Sequence, residues 1–204
     1  MFIETLLTDP LLFIRLIIIL VVSITIHELA HGIVALSQGD NTPQVTGHMT
    51  LNPVVHMGWE SLIFLCLVGI AWGQMPVNPS KFRYHKLSNI LVSAAGPVSN
   101  LGLASIGIAG LYLSKDNGLV SQEFLYLAAQ INITLCLFNL LPIPPLDGFH
   151  ICSEIFPGLK WLENSYFGLF AMMIIWITGI GTIFFVVSQW IICKLVPTLS
   201  VCSF

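Results

Sequence analysis

Charged residues are scarce in this sequence, and their scarcity limits the class of protein. The 204 residues include 7 lysines and arginines and 10 aspartates and glutamates, 8% in all, against 56% hydrophobic residues. The mean hydropathy is +0.90. Because a soluble domain carries about 25% charged residues, this composition indicates an integral membrane protein with several spans. No block of lysine or arginine indicates binding to nucleic acid.

The sequence also lacks any paired-cysteine motif. Its five cysteines contain no C-x-x-C, and their number is odd. Most of them lie in apolar runs, where cysteine behaves as a small hydrophobic residue. We therefore expect neither a disulfide framework nor a cysteine-ligated zinc site.

The longest apolar run lies near the N-terminus. It extends almost unbroken from Leu11 to Leu36 and predicts a helix from about Pro10 to Ser37. About 20 apolar residues span a bilayer. The first ten residues, MFIETLLTDP, lack the basic start and the cleavage site of a signal peptide. We therefore expect this helix to be structural.

Three ionisable residues interrupt that run. His27, Glu28 and His31 are costly inside an apolar helix unless they have partners. The two histidines are four residues apart and share one helix face. They form the motif H-E-x-x-H, in which two histidines bind zinc and the glutamate is the general base for a metal-bound water. The alternative is a helix whose polar residues face a bundle interior or a cavity.

The middle of the chain predicts one surface hairpin and one short apolar segment. Residues 42–57 alternate loosely in polarity and predict short strands or a hairpin at the membrane surface. They include His48 and His56, for which a role in a site and simple solvation both stay open. Residues 59–73 are apolar but too short for a clear span, as in a re-entrant or interfacial segment. A basic cluster at 81–86 indicates the cytoplasmic side by the positive-inside rule.

Three further apolar segments follow. A span is predicted over about 87–113, a turn over 114–118, and a third span over about 123–141. The last apolar region, 166–193, crosses once or forms a hairpin, with weak points near Gly179 and Gly181. Together with the first helix this gives about four spans.

Two histidines do not complete a catalytic zinc site, which usually has three protein ligands and a water. Asp147 is the leading candidate for the third. It follows a proline-rich break that a regular helix cannot contain, and such a break at membrane depth is tolerated where it lines a polar cavity. The alternatives are an ordinary turn aspartate at Asp147 and a rival ligand at His150.

The order of the motifs resembles the site-2 protease family of intramembrane zinc metalloproteases, peptidase family M50. The H-E-L-A-H of the first helix, the G-P-V-S-N that starts at Gly96 and the N-L-L-P-I-P-P-L-D-G that starts at Asn139 occur in that family's order and spacing. The resemblance implies zinc on His27, His31 and Asp147 and a general base at Glu28, with polar helpers at Asn100 and Asn139. The T-L-N-P-x-x-H at 50–56 resembles the compact subgroup without a PDZ domain. That subgroup often continues with Asp-Pro, where this chain has Gly58 and Trp59.

The expected fold is therefore an all-α membrane protein. It has about four transmembrane helices, one re-entrant segment and a small β-hairpin in a single domain over 1–204. The expected function is intramembrane proteolysis with one Zn²⁺, on membrane-anchored protein substrates in the lipid bilayer. We expect the plasma membrane and a site towards the cytoplasm, because the basic cluster precedes the 87–113 span. A membrane zinc transporter or channel and an inactive substrate-binding relative are the alternatives.

Overall fold

The computed structural model describes residues 2–113, 121–163, 166–199 and 202. None of these residues forms a β-strand. Nine α-helices are assigned within them: α1 Glu4–Thr8, α2 Pro10–Ser37, α3 Thr42–Val45, α4 Pro53–Val68, α5 His85–Leu113, α6 Gln122–Asn139, α7 Asp147–Ile155, α8 Phe167–Thr178 and α9 Thr182–Leu195. The turn predicted over 114–118 lies outside the described residues. The chain forms two compact units, residues 1–99 and 100–204.

Local signals set both ends of α2 and explain why its predicted bounds are confirmed. The Asp9 side chain accepts a hydrogen bond from Leu12 N at 3.0 Å, and Pro10 occupies the first helical position. Both features favour a helix start. Gly39 then adopts a φ of +100°, which ends the helix.

Two helices of the described residues, α2 and α5, are long and apolar enough to cross a bilayer. The predicted third span forms as α6, an 18-residue helix that is long enough but less apolar than α2 and α5. The last apolar region is divided at Gly179, whose φ of +69° separates the 12 residues of α8 from the 14 of α9. The count of about four spans therefore stays a prediction.

The hairpin expected over 42–57 is wrong. Pro43 and Pro53 each lie in the first turn of a helix, α3 and α4, where a missing N–H has no cost. Gly58, with a φ of +69°, bends α4, and Gly69 ends it. Residues 70–78 then belong to neither a helix nor a strand. The short segment predicted over 59–73 is thus the part of α4 that follows the bend, together with the start of an irregular segment.

Helix α4 packs on α2 within the first unit. The buried contact joins Ile24 of α2 to Met57 and Leu65 of α4. A smaller cluster joins Ala35 near the end of α2 to Phe82 and Val92. The first half of α5 and the loop before it therefore pack beside the C-terminal half of α2.

A buried aspartate holds the loops of the first unit together. Asp40 is fully buried and accepts hydrogen bonds from Thr42 N at 2.9 Å and from Asn78 N at 2.6 Å. Lys81 Nζ lies 3.9 Å away. Burial raises the pKa of this carboxyl, but the backbone bond from Asn78, the bonds from Thr42 and the charge of Lys81 outweigh it, so the pKa lies below the ordinary value. The ionised carboxylate joins the end of α2 to the loop that precedes α5.

In the second unit, α6 and α9 pack together with the second half of α5. Their shared core is formed by six buried residues: Ala104, Leu111, Ala129, Ile133, Ile192 and Val196. After α9 the chain turns, and Cys193 and Cys202 form a disulfide with a Cα–Cα distance of 5.4 Å. The expectation that no disulfide forms is wrong here. The nine-residue spacing carries no motif, and the turn that brings the two thiols together is a feature of the folded chain.

Candidate metal centre

The H-E-x-x-H residues lie on α2 and are buried. His27, Glu28 and His31 are 7%, 8% and 8% exposed. The two imidazole rings meet edge to face, with centroids 4.7 Å apart, as the four-residue spacing predicts for one helix face. Buried imidazoles and a buried carboxylate are costly without a compensating role. Their burial therefore favours a functional site.

A backbone carbonyl sets the tautomer of His31. The Nδ1 atom of His31 lies 2.6 Å from the carbonyl oxygen of Val92. Because a carbonyl can only accept, Nδ1 carries the proton and donates it, which leaves a lone pair on Nε2. Metal-ligating histidines are usually oriented in this way by a bond from the other ring nitrogen. Val92 thus prepares His31 Nε2 to bind a cation.

Gly96 of α5 leaves the space that both histidines face. A Cβ at this position would lie 2.5 Å from His27 Cε1 and would overlap Nε2 of both His27 and His31. The two Nε2 atoms therefore point to the same place beside the Gly96 Cα. Two imidazole nitrogens directed at one space suit a zinc ion. These residues therefore fit the metal that the motif predicts.

We expect Gly96→Ala to reduce zinc affinity by at least about tenfold, because the added methyl occupies the space that both nitrogens face. Competition with a chelator of known affinity, on the purified full chain, measures the change. Gly102→Ala is the matched control, since it lies in the same helix and its added Cβ meets no atom within 4 Å. Equal zinc affinity in the two variants would contradict this interpretation of Gly96.

The backbone of Gly73 lies close to the side chain of Glu28. A Cβ at Gly73 would lie 2.7 Å from both Cγ and Oε1 of Glu28. The irregular segment after α4 therefore lies directly against the predicted general base.

The remaining predicted site residues belong to the second unit. Asp147 is the first residue of α7, a position that favours negative charge. Its neighbour Gly148 packs so closely on the backbone of Leu140 that a side chain there would overlap the Leu140 carbonyl. Asn100 is fully buried in α5. Asn139 is half-buried, and its amide donates to the Leu135 carbonyl at 3.0 Å.

Three of the other four histidines, His48, His56 and His150, have contacts of their own, and the rings of His48 and His56 meet edge to face with centroids 6.3 Å apart. His150 lies on α7 with Nδ1 3.9 Å from Glu163 Oε1. The ring of His56 is fully buried, and its Nε2 lies 2.7 Å from the Thr50 carbonyl oxygen. His48 contacts Thr46 through Nδ1. These contacts give His48 and His56 local structural partners.

Sequence reasoning did not find the contributions of Val92, Gly96 and Gly73 to this centre. Gly96 had a signal, since it begins the G-P-x-x-N motif. Val92 contributes only its backbone carbonyl, so its residue type carries no signal. Gly73 stands among apolar residues and prolines with no motif of its own.

Comparison with known proteins places the chain in a family. It is 38% identical to YwhC of Bacillus subtilis (strain 168) over 179 residues, which cover 82% of each chain, and YwhC bears the name of a zinc metalloprotease. This chain belongs to peptidase family M50. The family model itself matches residues 115–179. The resemblance noted from the motifs is thus confirmed at the level of the family.

Two less similar relatives also bear the name of a zinc metalloprotease. Rip2 of Mycobacterium tuberculosis (strain H37Rv), also named as a zinc metalloprotease, is 32% identical over 136 residues. The match covers 63% of this chain and 52% of Rip2. MJ0611 of Methanocaldococcus jannaschii, which bears the same kind of name, is 28% identical over 108 residues, covering 50% of this chain and 52% of that protein. No solved structure matches this M50 chain.

Membership in M50 assigns the chain to the zinc metalloproteases and to a membrane-associated family. Zinc is therefore the metal of this protein, and the predictions of a metalloprotease with a zinc cofactor are confirmed at this level. The two span-length helices α2 and α5 agree with a membrane location.

Proposed function

We propose that this protein is an intramembrane zinc endopeptidase of the site-2 protease type, which hydrolyses peptide bonds of membrane-anchored proteins within or near the bilayer. One observation carries the proposal: the two Nε2 atoms of H-E-x-x-H, buried in the span-length helix α2, face one space beside Gly96. A soluble metalloprotease has no need to place this motif in so apolar a helix.

The proposed zinc ligands are His27, His31 and Asp147. The two histidines supply two nitrogens, and a catalytic zinc site usually adds a third protein ligand and keeps one position open. Asp147 supports this assignment by its place after the proline-rich break and by its motif, which matches that of the site-2 proteases. A His₂-carboxylate set is a common catalytic zinc site in proteases.

Each catalytic role belongs to a residue type suited to it. Bound zinc would lower the pKa of a water towards neutrality and polarise the scissile carbonyl. Glu28, adjacent to His27, takes the proton of the attacking water and passes it to the leaving amine. Asn100 or Asn139 donates a hydrogen bond to the developing oxyanion or to the substrate backbone.

The proposed location is the plasma membrane, with the site towards the cytoplasm. Lys81, Arg83 and Lys86 lie just before or at the start of α5, and a basic cluster beside a span favours the cytoplasmic side. The proposed partners are a membrane-anchored protein substrate and the lipid bilayer. The whole of 1–204 forms the proposed protease domain.

Reconstitution tests this proposal. We expect the purified full chain, placed in lipid vesicles with a single-span protein tagged at both ends, to separate the two tags. Removal of zinc with a chelator should abolish the cleavage, and added zinc should restore it. Gel analysis of both tags measures the result. Cleavage that continues after the zinc has been removed would exclude a zinc endopeptidase.

A further inference from the structure

The backbone around Gly73 is held on both sides by α4. The Ser61 hydroxyl donates to the Trp72 carbonyl at 2.7 Å and accepts from the Trp72 N–H at 2.8 Å. On the other side of Gly73, the Gln74 N–H donates to the His56 carbonyl at 2.9 Å. Ser61 is fully buried, so solvent does not compete for its hydroxyl.

These bonds matter because the segment has no regular structure of its own. Residues 70–78 lie outside every helix, and no strand pairs with them among the described residues. Without fixed partners, such a backbone would keep its conformational freedom. Helix α4 is in turn packed on α2 through Ile24, Met57 and Leu65. The segment is therefore fixed relative to α2.

The held segment lies along the face of α2 that carries the predicted base. A Cβ at Gly73 would lie 2.7 Å from Glu28 Cγ and Oε1 and 2.9 Å from Ile24 Cγ2. One turn further along α2, a Cβ at Gly32 would lie 2.9 Å from Met75 Cε. Gly73 is not among the glycines with positive φ. Its lack of a side chain therefore serves this close approach.

We propose that the segment Trp72–Gln74, held by Ser61 and by the His56 carbonyl, is a positioning element that fixes the side chain of Glu28 through contact with Gly73. Glutamate has three rotatable side-chain bonds, and a general base is effective only within a narrow geometry. The backbone at Gly73 occupies space beside Cγ and Oε1 and so excludes side-chain conformations of Glu28 that would need that space. This inference rests on the proposed role of Glu28, and Ser61 and Gly73 act as positioning residues.

A double-mutant cycle in thermal stability tests the contact without any measure of activity. We expect Gly73→Ala to lower the melting temperature of the full chain in detergent, because its methyl overlaps Glu28. In a Glu28→Ala background at least half of that decrease should disappear, since Cγ and Oε1, the two nearest atoms, are absent. Gly102→Ala is the control and should have the same effect in both backgrounds. An equal decrease from Gly73→Ala in both backgrounds would overturn the proposal.

Kinetics and amide exchange test the bond that holds the segment. We expect Ser61→Ala to lower kcat by about tenfold, with KM within about twofold and zinc content unchanged. The Trp72 amide should exchange with solvent faster than in the unmodified chain. Ser188→Ala, which removes another fully buried serine hydroxyl, should leave kcat and the Trp72 amide unaffected. In Ser61→Cys, which keeps the size of the side chain and a weak donor, we expect part of the lost rate to return.

Two results would overturn the positioning role of Ser61. A higher KM with unchanged kcat would assign the segment to substrate binding, and a loss of zinc in parallel with activity would assign Ser61 to general stability. If the unmodified chain cleaves no substrate, the proposed function fails, while the stability cycle still decides whether Gly73 and Glu28 are coupled.

Discussion

Replacement of Glu28 by glutamine is expected to abolish cleavage while zinc stays bound. Glutamine has nearly the same shape as glutamate, but it cannot take a proton from water. His31 keeps its position, because it is oriented by the Val92 carbonyl. Loss of a general base typically costs 10²- to 10⁴-fold, so the expected decrease in kcat is on the order of 10³-fold. Zinc content by metal analysis and cleavage in vesicles measure the two effects together.

The same variant separates the protease from its alternatives. A zinc transporter or channel has no need for a base beside His27, so its zinc flux into vesicles would be unchanged in Glu28→Gln. An inactive substrate-binding relative would cleave nothing in either form. Zinc flux or binding activity that is equal in both forms, with no cleavage in the unmodified chain, would therefore exclude the protease.

Replacement of Asp147 by alanine is expected to lower zinc affinity by at least about 100-fold and to abolish cleavage. Loss of a group that merely orients a ligand costs 10- to 100-fold in metal affinity, and loss of a ligand should cost at least as much. Equilibrium dialysis against a metal buffer measures the affinity. The substitution also removes a negative charge from the start of α7, so the melting temperature of the zinc-free chain is measured beside the affinity to separate loss of a ligand from loss of stability.

His150→Ala is the matched control for Asp147→Ala. It lies three residues further along α7 and was the rival ligand in the sequence. Its ring nitrogen Nδ1 lies 3.9 Å from Glu163 Oε1, so we expect zinc affinity to stay within about twofold. If His150→Ala releases zinc and Asp147→Ala does not, the third ligand has been assigned to the wrong residue.

The elements predicted well from the sequence are those with local start and stop signals. Helix α2 begins at Asp9 and Pro10 and ends before Gly39, and each of these residues acts on its own backbone. The hairpin expected over 42–57 is wrong because Pro43 and Pro53 lie in the first turns of helices, and this effect outweighs a loose alternation of polarity. A proline within a run argues against a strand and is favourable at a helix start.

A different reason explains why the sequence does not predict the disulfide. Cys193 ends up near Cys202 because the chain turns after α9, with Leu199 N bonded to the Val196 carbonyl and Cys202 N bonded to the Leu199 carbonyl. No spacing rule for cysteines predicts such a turn. The last apolar region differs from this case, because the sequence indicates weak points near Gly179 and Gly181 and the chain does divide at Gly179, between α8 and α9.

The chemistry of α2 follows from local spacing alone. A four-residue spacing on a helix places His27 and His31 on one face with Glu28 beside them, whatever the rest of the chain does. The orientation of these groups depends on the packing of distant segments. The carbonyl that sets the tautomer of His31 comes from a residue 61 positions away, and Gly96 and Gly73 come from other segments again. Such contacts depend on how helices and loops pack, which the spacing of residues within α2 does not encode.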